Sequence, residues 1–478
     1  MTYKNGKKQS QSSQEWSKRK QLCSELYQEC FVPNDKFKFE TNFLKIQELL
    51  NQIINEEKNF KSCIQIKRTS QEFDLFKHFL NDNNCKINDL LYITKSIHND
   101  DDFTVRSNRQ FKKGDLIFDV PGDIILTVDT VRDTFLGKLF HEDKMLSSMP
   151  NVALALAVLF VKLNCETDKK LSKWSSYMNI LPNEFHTPLY FSLDEIKLLK
   201  ASQSFYDILY HIRNISRLYA YLFNLLDSKI EAKEFLKFFT YENFRWAVSV
   251  VSTRQNQIYD SNKKPMLAMI PLLDMCNHED GEFCTDFNNE TLSALCYAHK
   301  DINPGDEITI FYGSRSNFEM LIHNGFVCEC NKRDKIKLKL GLTTQDILFV
   351  KRSCVLEKFG LKSTEYFELS QDSNSNDQIL PSLFVFVKIF TSKSDDELNE
   401  IFNNEATSIS SYFNDKKLGL DSNIIQFLTL RFSILIKSIE LQQKNAQTTT
   451  NSIFIKHLLN SEKSILQTFL NYLNSLAI

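Results

Sequence analysis

Two periodicities alternate along the chain and predict the order of its helices and strands. From about residue 37 to residue 98, apolar side chains such as Phe43 and Ile46 recur every three or four positions, which predicts helices. From Phe103 onward the pattern changes to short β-rich runs separated by turns, as at 116–120. A helical segment is therefore expected first and β structure after it.

Helical spacing returns between about residues 130 and 251. Within it, Pro150-Asn151 precedes the apolar run Val152 to Val161, a start signal followed by a buried helix. Strand patterning resumes later, and one more short strand precedes long helical runs to the C-terminus. These predicted strands are Met266–Pro271, Ala294–Ala298, Glu307–Tyr312 and Ile336–Leu340.

The predicted strands form two blocks, separated by more than a hundred mostly helical residues. Two β domains would give this pattern, and so would one β domain with a large helical insertion. Composition does not choose between them. The polar residues 1–36, basic at their start, are expected to be a disordered tail.

Length and charge narrow the class of protein. At 478 residues the chain is long enough for two or three domains, and 42% apolar residues supply large cores. Lys and Arg number 58 against 60 Asp and Glu, a net charge of -2, so the chain has no surplus of positive charge to neutralise a nucleic-acid backbone, and no nucleic-acid partner is expected. With 11 Gly and 9 Pro, collagen-like and low-complexity structures are excluded.

Several features predict a cytoplasmic protein, with presence in the nucleus also compatible. The longest apolar run has ten residues against the about 20 that span a bilayer, and the N-terminus lacks a signal-peptide core. Eleven irregularly spaced cysteines indicate a reducing compartment. Cys328 and Cys330 are the one close pair, and no second pair follows at zinc-site spacing, so no metal is expected. We also expect a monomer without a membrane partner.

Two motifs carry the candidate chemistry. The first, Pro271-Leu-Leu-Asp-Met-Cys-Asn-His278, places polar groups directly after an apolar strand, although a capped strand end would look the same. The second, Gly305-Asp-Glu-Ile-Thr-Ile-Phe-Tyr-Gly313, leads through a turn into a strand that ends in a tyrosine. Aromatic strand ends are common, so the second motif is weak by itself.

Taken together, with about thirty residues between them, the motifs resemble the C-terminal half of a SET-domain methyltransferase. Phe103-Thr-Val-Arg106 and Phe111-Lys-Lys-Gly114 resemble its N-terminal half. Trp246-Ala-Val-Ser249 and Thr253-Arg-Gln-Asn-Gln-Ile258 are similar to the actin-histidine N-methyltransferase subfamily. The helical C-terminal third is similar to the substrate-binding lobe of Rubisco lysine methyltransferases.

The resemblance implies an α+β fold, in which one split SET-domain β fold carries a large helical insertion. The expected domains are a tail (1–36), an N-terminal helical segment (37–95), the SET domain (96–330) and a mostly α-helical substrate-binding domain (335–478). Within the SET domain, 96–130 and 246–330 are expected to form the β core and 131–245 the helical insert.

The resemblance also implies S-adenosylmethionine as the methyl donor. The implied donor-binding residues are Arg68, Asp101, Asp102, Phe103, Arg254, Asp274, Met275, Cys276, Asn277, His278 and Asn324. A guanidinium such as that of Arg254 can bind a carboxylate with two hydrogen bonds, which suits the methionine end of the donor.

For catalysis the resemblance implies Tyr312 and Asn256, with actin or an actin-like protein as the substrate. Methyl transfer is an in-line displacement, so the enzyme's work is largely alignment. Tyr312 would align the methyl group, and Asn256 would orient an acceptor imidazole by accepting its N–H. The implied substrate-binding residues are Asn151, Val152, Arg217, Leu273 and Arg315.

Three positions depart from the family pattern. Asp102-Phe103-Thr104 stands where the family has Gly-Phe-Gly, Leu273 replaces a pocket tryptophan, and Leu218 replaces a glutamine. Leu273 favours a lysine methyltransferase of the same fold, and the altered loop favours a catalytically inactive peptide-binding protein. Asn256 and the intact tyrosine favour an active protein-histidine methyltransferase, which is the function expected here.

Overall fold

The computed structural model of the chain describes residues 2–31, 36–60, 62, 68–85, 90–95, 103–260, 262–371, 380–406, 408–444, 449 and 451–476. Asp101 and Asp102 of the expected donor site lie outside the described residues. The chain divides into a first unit (Met1–Phe185 with Leu209–Gly313) and a second unit (His186–Ile208 with Ser314–Ile478).

Helices make up most of the described structure. In chain order they are α1 (Thr2–Glu29), α2 (Lys36–Glu57), α3 (Ser70–Asp82), α4 (Phe135–Glu142), α5 (Lys144–Ser147), α6 (Pro150–Asn164), α7 (Ser175–Ile180), α8 (Leu193–Leu198), α9 (Phe205–Asp227), α10 (Lys233–Leu236), α11 (Tyr241–Arg254), α12 (Asn317–Asn324), α13 (Phe349–Lys358), α14 (Leu380–Thr391), α15 (Asp395–Asn403), α16 (Ile409–Asp415), α17 (Ser422–Lys444) and α18 (Ser452–Leu476).

The strands are short. They are β1 (Leu91–Lys95), β2 (Phe103–Ser107), β3 (Leu116–Pro121), β4 (Leu126–Thr127), β5 (Gln255–Tyr259), β6 (Pro265–Met269), β7 (Asn277–His278), β8 (Thr285–Asn288), β9 (Ser293–Tyr297), β10 (Thr309–Ile310), β11 (Lys335–Gly341) and β12 (Thr364–Ser370). Such short strands suit a fold made of several small sheets rather than one large sheet.

The described residues of the first unit form four small sheets, with helices between their strands in sequence. The pair β1–β2 and the sheets β3–β9–β8 and β4–β6–β5 are antiparallel, whereas β10 and β7 pair in parallel. The sheets β3–β9–β8 and β4–β6–β5 each join strands from before and after the helical stretch α4–α11. One split β fold with a helical insertion is therefore confirmed over two separate β domains.

The helix α6 forms the centre of the insertion. Its residues from Val152 to Val161 are buried on all sides except at Phe160, which is half-buried, and α11 packs against it. A helix that is apolar all round must be covered on every face, which explains its uniform sequence. No helix in the described ranges is long and apolar enough to cross a membrane.

The second unit is mostly helical and has one two-stranded sheet, β11–β12. Its helix α12 begins at a capping box in which Ser316 and Glu319 satisfy each other's backbone groups. The helix ends at Gly325, whose φ of +81° is the left-handed conformation that closes a helix without strain in glycine.

The N-terminal region differs from the expected tail. α1 covers Thr2–Glu29, and its second half has an apolar stripe that includes Cys23 and Leu26, both fully buried. The apolar residues of this stripe, which include Trp16 and Cys30, recur every three or four positions, as in a helix. The many polar residues between them make this spacing hard to recognise in the sequence. Two strands also differ from expectation: β1 lies within the segment predicted as helical, and β12 falls in a region read as helical.

Candidate active site

The first motif forms a sharp change of direction after β6. Leu273 N donates to Pro271 O at 2.9 Å across Leu272, whose φ of +69° and ψ of -50° define a γ-turn. This turn is rare and strained for a leucine, and such strain concentrates at functional sites. A single 3₁₀ turn, Leu273–Met275, follows and leads into β7. Sequence reasoning missed this turn because leucine carries no turn signal.

The parallel pairing of β7 with β10 brings the two motifs together. Asn277 lies opposite Thr309 and His278 opposite Ile310. The chain leaves β10 towards Tyr312, whose backbone N donates to His278 Nδ1 at 3.2 Å. The ring centroids of His278 and Tyr312 are 5.2 Å apart. The residues that sequence reasoning grouped by motif are therefore in direct contact.

The Tyr312 hydroxyl is fixed by a main-chain acceptor. It donates to Cys276 O at 2.8 Å, so its position is tied to the turn that follows β6. The Cys276 side chain is fully buried, and burial raises the pKa of its thiol well above the ordinary value. Cys276 therefore contributes its carbonyl to the site, and its thiol stays neutral.

The Asn277 side chain has a defined orientation. Its Nδ2 donates to Glu307 Oε1 at 2.7 Å, which fixes the amide and identifies Oδ1 as its acceptor atom. An amide held in this way can accept a hydrogen bond from a cationic amino group through Oδ1. Glu307 was part of the second motif but was not singled out as a site residue.

The first motif contains a buried carboxylate, that of Asp274. Asp274 Oδ2 accepts a hydrogen bond from the Tyr177 hydroxyl of α7, and Tyr177 is fully buried. Burial raises the pKa of Asp274 to about 6, while the Arg254 guanidinium and the Tyr177 hydroxyl pull it down. Arg254 Nη1 also donates to Thr253 Oγ1 at 2.7 Å. Tyr177 lies 97 residues from Asp274 in sequence, so no motif could reveal it.

Asn256 lies on β5 and not in a helix end or turn. β5 is an edge strand of the β4–β6–β5 sheet, so its outer edge has no strand partner among the described residues. Asn256 Nδ2 donates to Arg254 O at 3.0 Å. The described residues supply no donor to its Oδ1, which therefore remains a hydrogen-bond acceptor at the strand edge.

Arg68 and Phe103, expected at the donor site, lie together at the start of β2. The Arg68 guanidinium is 5.4 Å from the centroid of the Phe103 ring, and the Phe73 ring stacks on Phe103 at 3.6 Å. A cation above an aromatic face is a favourable arrangement that also presents a flat surface. The neighbouring Thr104 is buried within β2.

The remaining expected residues are not drawn together in the same way. Asn151 is exposed at the start of α6 and Val152 is buried beside it, while Leu273 and Leu218 are buried. The Arg217 guanidinium lies 5.4 Å from the ring centroid of Phe31. Asn324 and Arg315 belong to the second unit, where Arg315 Nη1 donates to Asn324 Oδ1 at 2.5 Å.

A cleft of about 610 Å³ opens beside the hairpin that joins β5 to β6. Its lining includes Ile258 of β5 and Phe287 of β8 together with three carboxylates, those of Asp123, Asp129 and Asp260. Arg132 pairs with Asp129 at 2.7 Å, which leaves an excess of negative charge. Across the described ranges, no three His, Cys, Asp or Glu side chains are placed to hold a metal ion.

Comparison with known proteins finds a match to the SET domain over residues 102–313. The actin-histidine N-methyltransferases of Mus musculus and Homo sapiens are each 34% identical to the chain over 383 residues, or 79% of its length. The chain spans 62% of the length of these relatives.

Solved structures of Rubisco LSMT are similar in fold. The structure bound to AdoMet aligns with a TM-score of 0.60 at 18% identity, over 85% of this chain and 92% of that one. The SET domain bound to lysine and AdoHcy aligns with a TM-score of 0.60 at 17% identity, over 85% and 91%. The α+β fold expected from sequence is thereby confirmed.

Proposed function

This chain contains a SET domain, and from that premise we propose that it is an S-adenosylmethionine-dependent protein-histidine N-methyltransferase that modifies actin or an actin-like protein. The observation that carries the proposal is the amide of Asn256. Its Nδ2 is held by Arg254 O, and its Oδ1 receives no hydrogen bond from the described residues, on a side chain that is half-buried.

A histidine substrate needs such an acceptor. Neutral imidazole has one lone-pair nitrogen, which attacks, and one N–H, which does not. An oxygen that accepts the N–H fixes the tautomer and the direction of the lone pair. Asn256 performs this task without a charge, so the ring stays neutral and nucleophilic.

The residues present fit the donor. Arg254 offers a guanidinium for the carboxylate, and Asn277 Oδ1 and Asp274 offer acceptors for an ammonium group. When bound, S-adenosylmethionine supplies an electrophilic methyl group on a sulfonium. The Tyr312 hydroxyl and the Cys276 carbonyl form a fixed pair of oxygens that can contact the methyl hydrogens and align the acceptor nitrogen.

One observation favours a lysine methyltransferase as the second candidate. Leu273 is buried and smaller than the tryptophan of the related family, so the pocket wall beside the acceptor is less suited to an imidazole ring. A lysine acceptor, however, must first lose a proton, and the pKa of its ammonium group is ordinarily about 10.4. Asn256 carries no charge that would assist this loss.

Replacement of Asn256 tests the proposal. Asn256→Ala is expected to lower the turnover of a histidine-containing actin peptide by about ten-fold, because the acceptor for the ring N–H is lost. Donor affinity measured by calorimetry should stay within about two-fold. Gln257→Ala, at the exposed next position of β5, is the matched control and should retain full turnover.

The same peptide with lysine at the acceptor position separates the two candidates. The proposal expects methylation of the histidine peptide alone, and that activity should depend on Asn256. Preferential methylation of the lysine peptide, or equal turnover by Asn256→Ala, would contradict the proposal.

A further inference from the structure

Tyr177 and Asp274 form a buried pair directly beneath the donor-site motif. Tyr177 is fully buried in α7, and its ring stacks on Phe76 of α3 at 6.1 Å. Its hydroxyl donates to Asp274 Oδ2, in the 3₁₀ turn that precedes β7. The ring of Tyr177 is therefore held by α3, outside the motif, and its hydroxyl is held by a carboxylate of the motif.

The second oxygen of Asp274 has no such partner. Asp274 Oδ1 is buried, and the described residues give it no hydrogen bond. A buried carboxylate oxygen that accepts no hydrogen bond destabilises the folded protein, unless a ligand donates a hydrogen bond to it. Because Tyr177 occupies Oδ2, the oxygen left for a ligand is Oδ1.

Three charged or titratable groups interact with Asp274. They are the Arg254 guanidinium on α11, the Tyr177 hydroxyl on α7 and the Cys276 thiol two residues along the chain. Burial raises the pKa of Tyr177 and that of Cys276 well above their ordinary values, so both are neutral. One carboxylate and one guanidinium remain, a pair that matches the ammonium and carboxylate of an amino acid.

We propose that Tyr177 is a positioning residue for donor binding, which acts through Asp274 by holding Oδ2 so that Oδ1 faces the amino-acid end of the donor. This inference rests on the proposed function, since it assumes that the donor carries such an end. Tyr177 touches neither the donor nor the reacting atoms; its effect passes through the carboxylate that it fixes.

The Tyr177 hydroxyl also favours the ionised form of Asp274. Hydrogen bonding from Tyr177 lowers the pKa of a carboxyl that burial raises, so loss of the hydroxyl shifts that pKa upward. Protonated Asp274 would no longer attract an ammonium group. The affinity for the donor should therefore fall as the pH drops through about 6, and in the Tyr177→Phe variant this fall should begin at higher pH.

Calorimetric titration of the full chain with S-adenosylmethionine tests the inference. At pH 7.5, Tyr177→Phe is expected to bind about ten-fold more weakly, because a hydrogen bond to a charged group is lost. Asp274→Asn should bind at least as weakly, and the double variant should bind no more weakly than Asp274→Asn alone. Tyr241→Phe, which changes another fully buried tyrosine whose hydroxyl contacts Ser216, is the control and should bind normally.

The pH dependence of unfolding provides a second readout that needs no donor. A carboxyl whose pKa is raised by folding stabilises the folded state at low pH and loses this contribution as the pH rises through that pKa. The unfolding temperature of Tyr177→Phe should therefore fall further between pH 6 and pH 7 than that of the unmodified chain. Asp274→Asn should not show this fall.

The two proposals fail in different ways. If the unmodified chain does not bind the donor, the proposed function is contradicted, and the unfolding series alone decides whether Tyr177 controls Asp274. If the unmodified chain binds, additive effects in the double variant or normal affinity of Tyr177→Phe would overturn the positioning role.

Discussion

Replacing Tyr312 with phenylalanine is expected to lower the rate of methyl transfer by about a hundred-fold or more, with donor affinity unchanged within about two-fold. In the proposed function, the hydroxyl bonded to Cys276 O is the polar group that would hold the reacting methyl in line. Removing it leaves the ring, its packing on His278 and the donor-binding residues in place. The loss should therefore appear in the chemical step and not in binding.

Single-turnover rates, measured with the protein in excess over the peptide and with saturating donor, report this effect, and calorimetry measures the affinity. Tyr297→Phe, on β9 of the same unit, is the matched control because it removes a half-buried tyrosine hydroxyl outside the motifs. An unchanged single-turnover rate for Tyr312→Phe would show that the hydroxyl does not align the transfer. A parallel loss of affinity would assign it to binding instead.

Replacing Arg19 with methionine is expected to destabilise the protein by about 3–5 kcal/mol, which is the usual cost of breaking a buried ion pair from one side. Arg19 is fully buried, and its Nε donates to Glu57 Oε1 at 2.7 Å. It also donates to Tyr219 and to Phe239 O. Without the guanidinium, the partners that the described residues leave to the buried Glu57 carboxylate are the Tyr219 hydroxyl and the Tyr241 N–H.

Denaturant unfolding measures the loss, and the chain supplies its own control. Lys18, one position away, pairs with Glu56 at 2.6 Å but is 60% exposed, so Lys18→Met should change stability by less than about 1 kcal/mol. Burial raises the pKa of Glu57, so the Arg19→Met variant should lose less stability at pH 5 than at pH 8. Equal losses of stability from Arg19→Met and Lys18→Met would contradict the stabilising role of the buried Arg19 in α1.

The motif residues could be predicted because their signals are local. The run Val152 to Val161 and the segment of α11 carry clear helical patterns, and both helices form where expected. The parallel pairing of β7 with β10 then places Asn277, His278 and Tyr312 together, as the spacing of the two motifs suggested.

What the sequence could not predict depends on distant packing. α1 looks like a polar tail because Arg19 interrupts its apolar stripe. The partners that explain a buried arginine there, Glu57, Tyr219 and Phe239 O, all lie far away in sequence. Tyr177 is one of several aromatic residues in the insertion, and nothing nearby marks its bond to Asp274. The γ-turn at Leu272 is forced by the route between β6 and β7, not by residue type.

Mass spectrometry of actin tests the proposed transfer of a methyl group to a histidine side chain. Purified actin would be incubated with the chain and S-adenosylmethionine, with the Tyr312→Phe variant as a parallel control, and fragmented to locate any added mass. We expect one added methyl group on a single histidine, strongly reduced with the variant. A methyl group on lysine, or no modification by a chain that binds the donor, would contradict it.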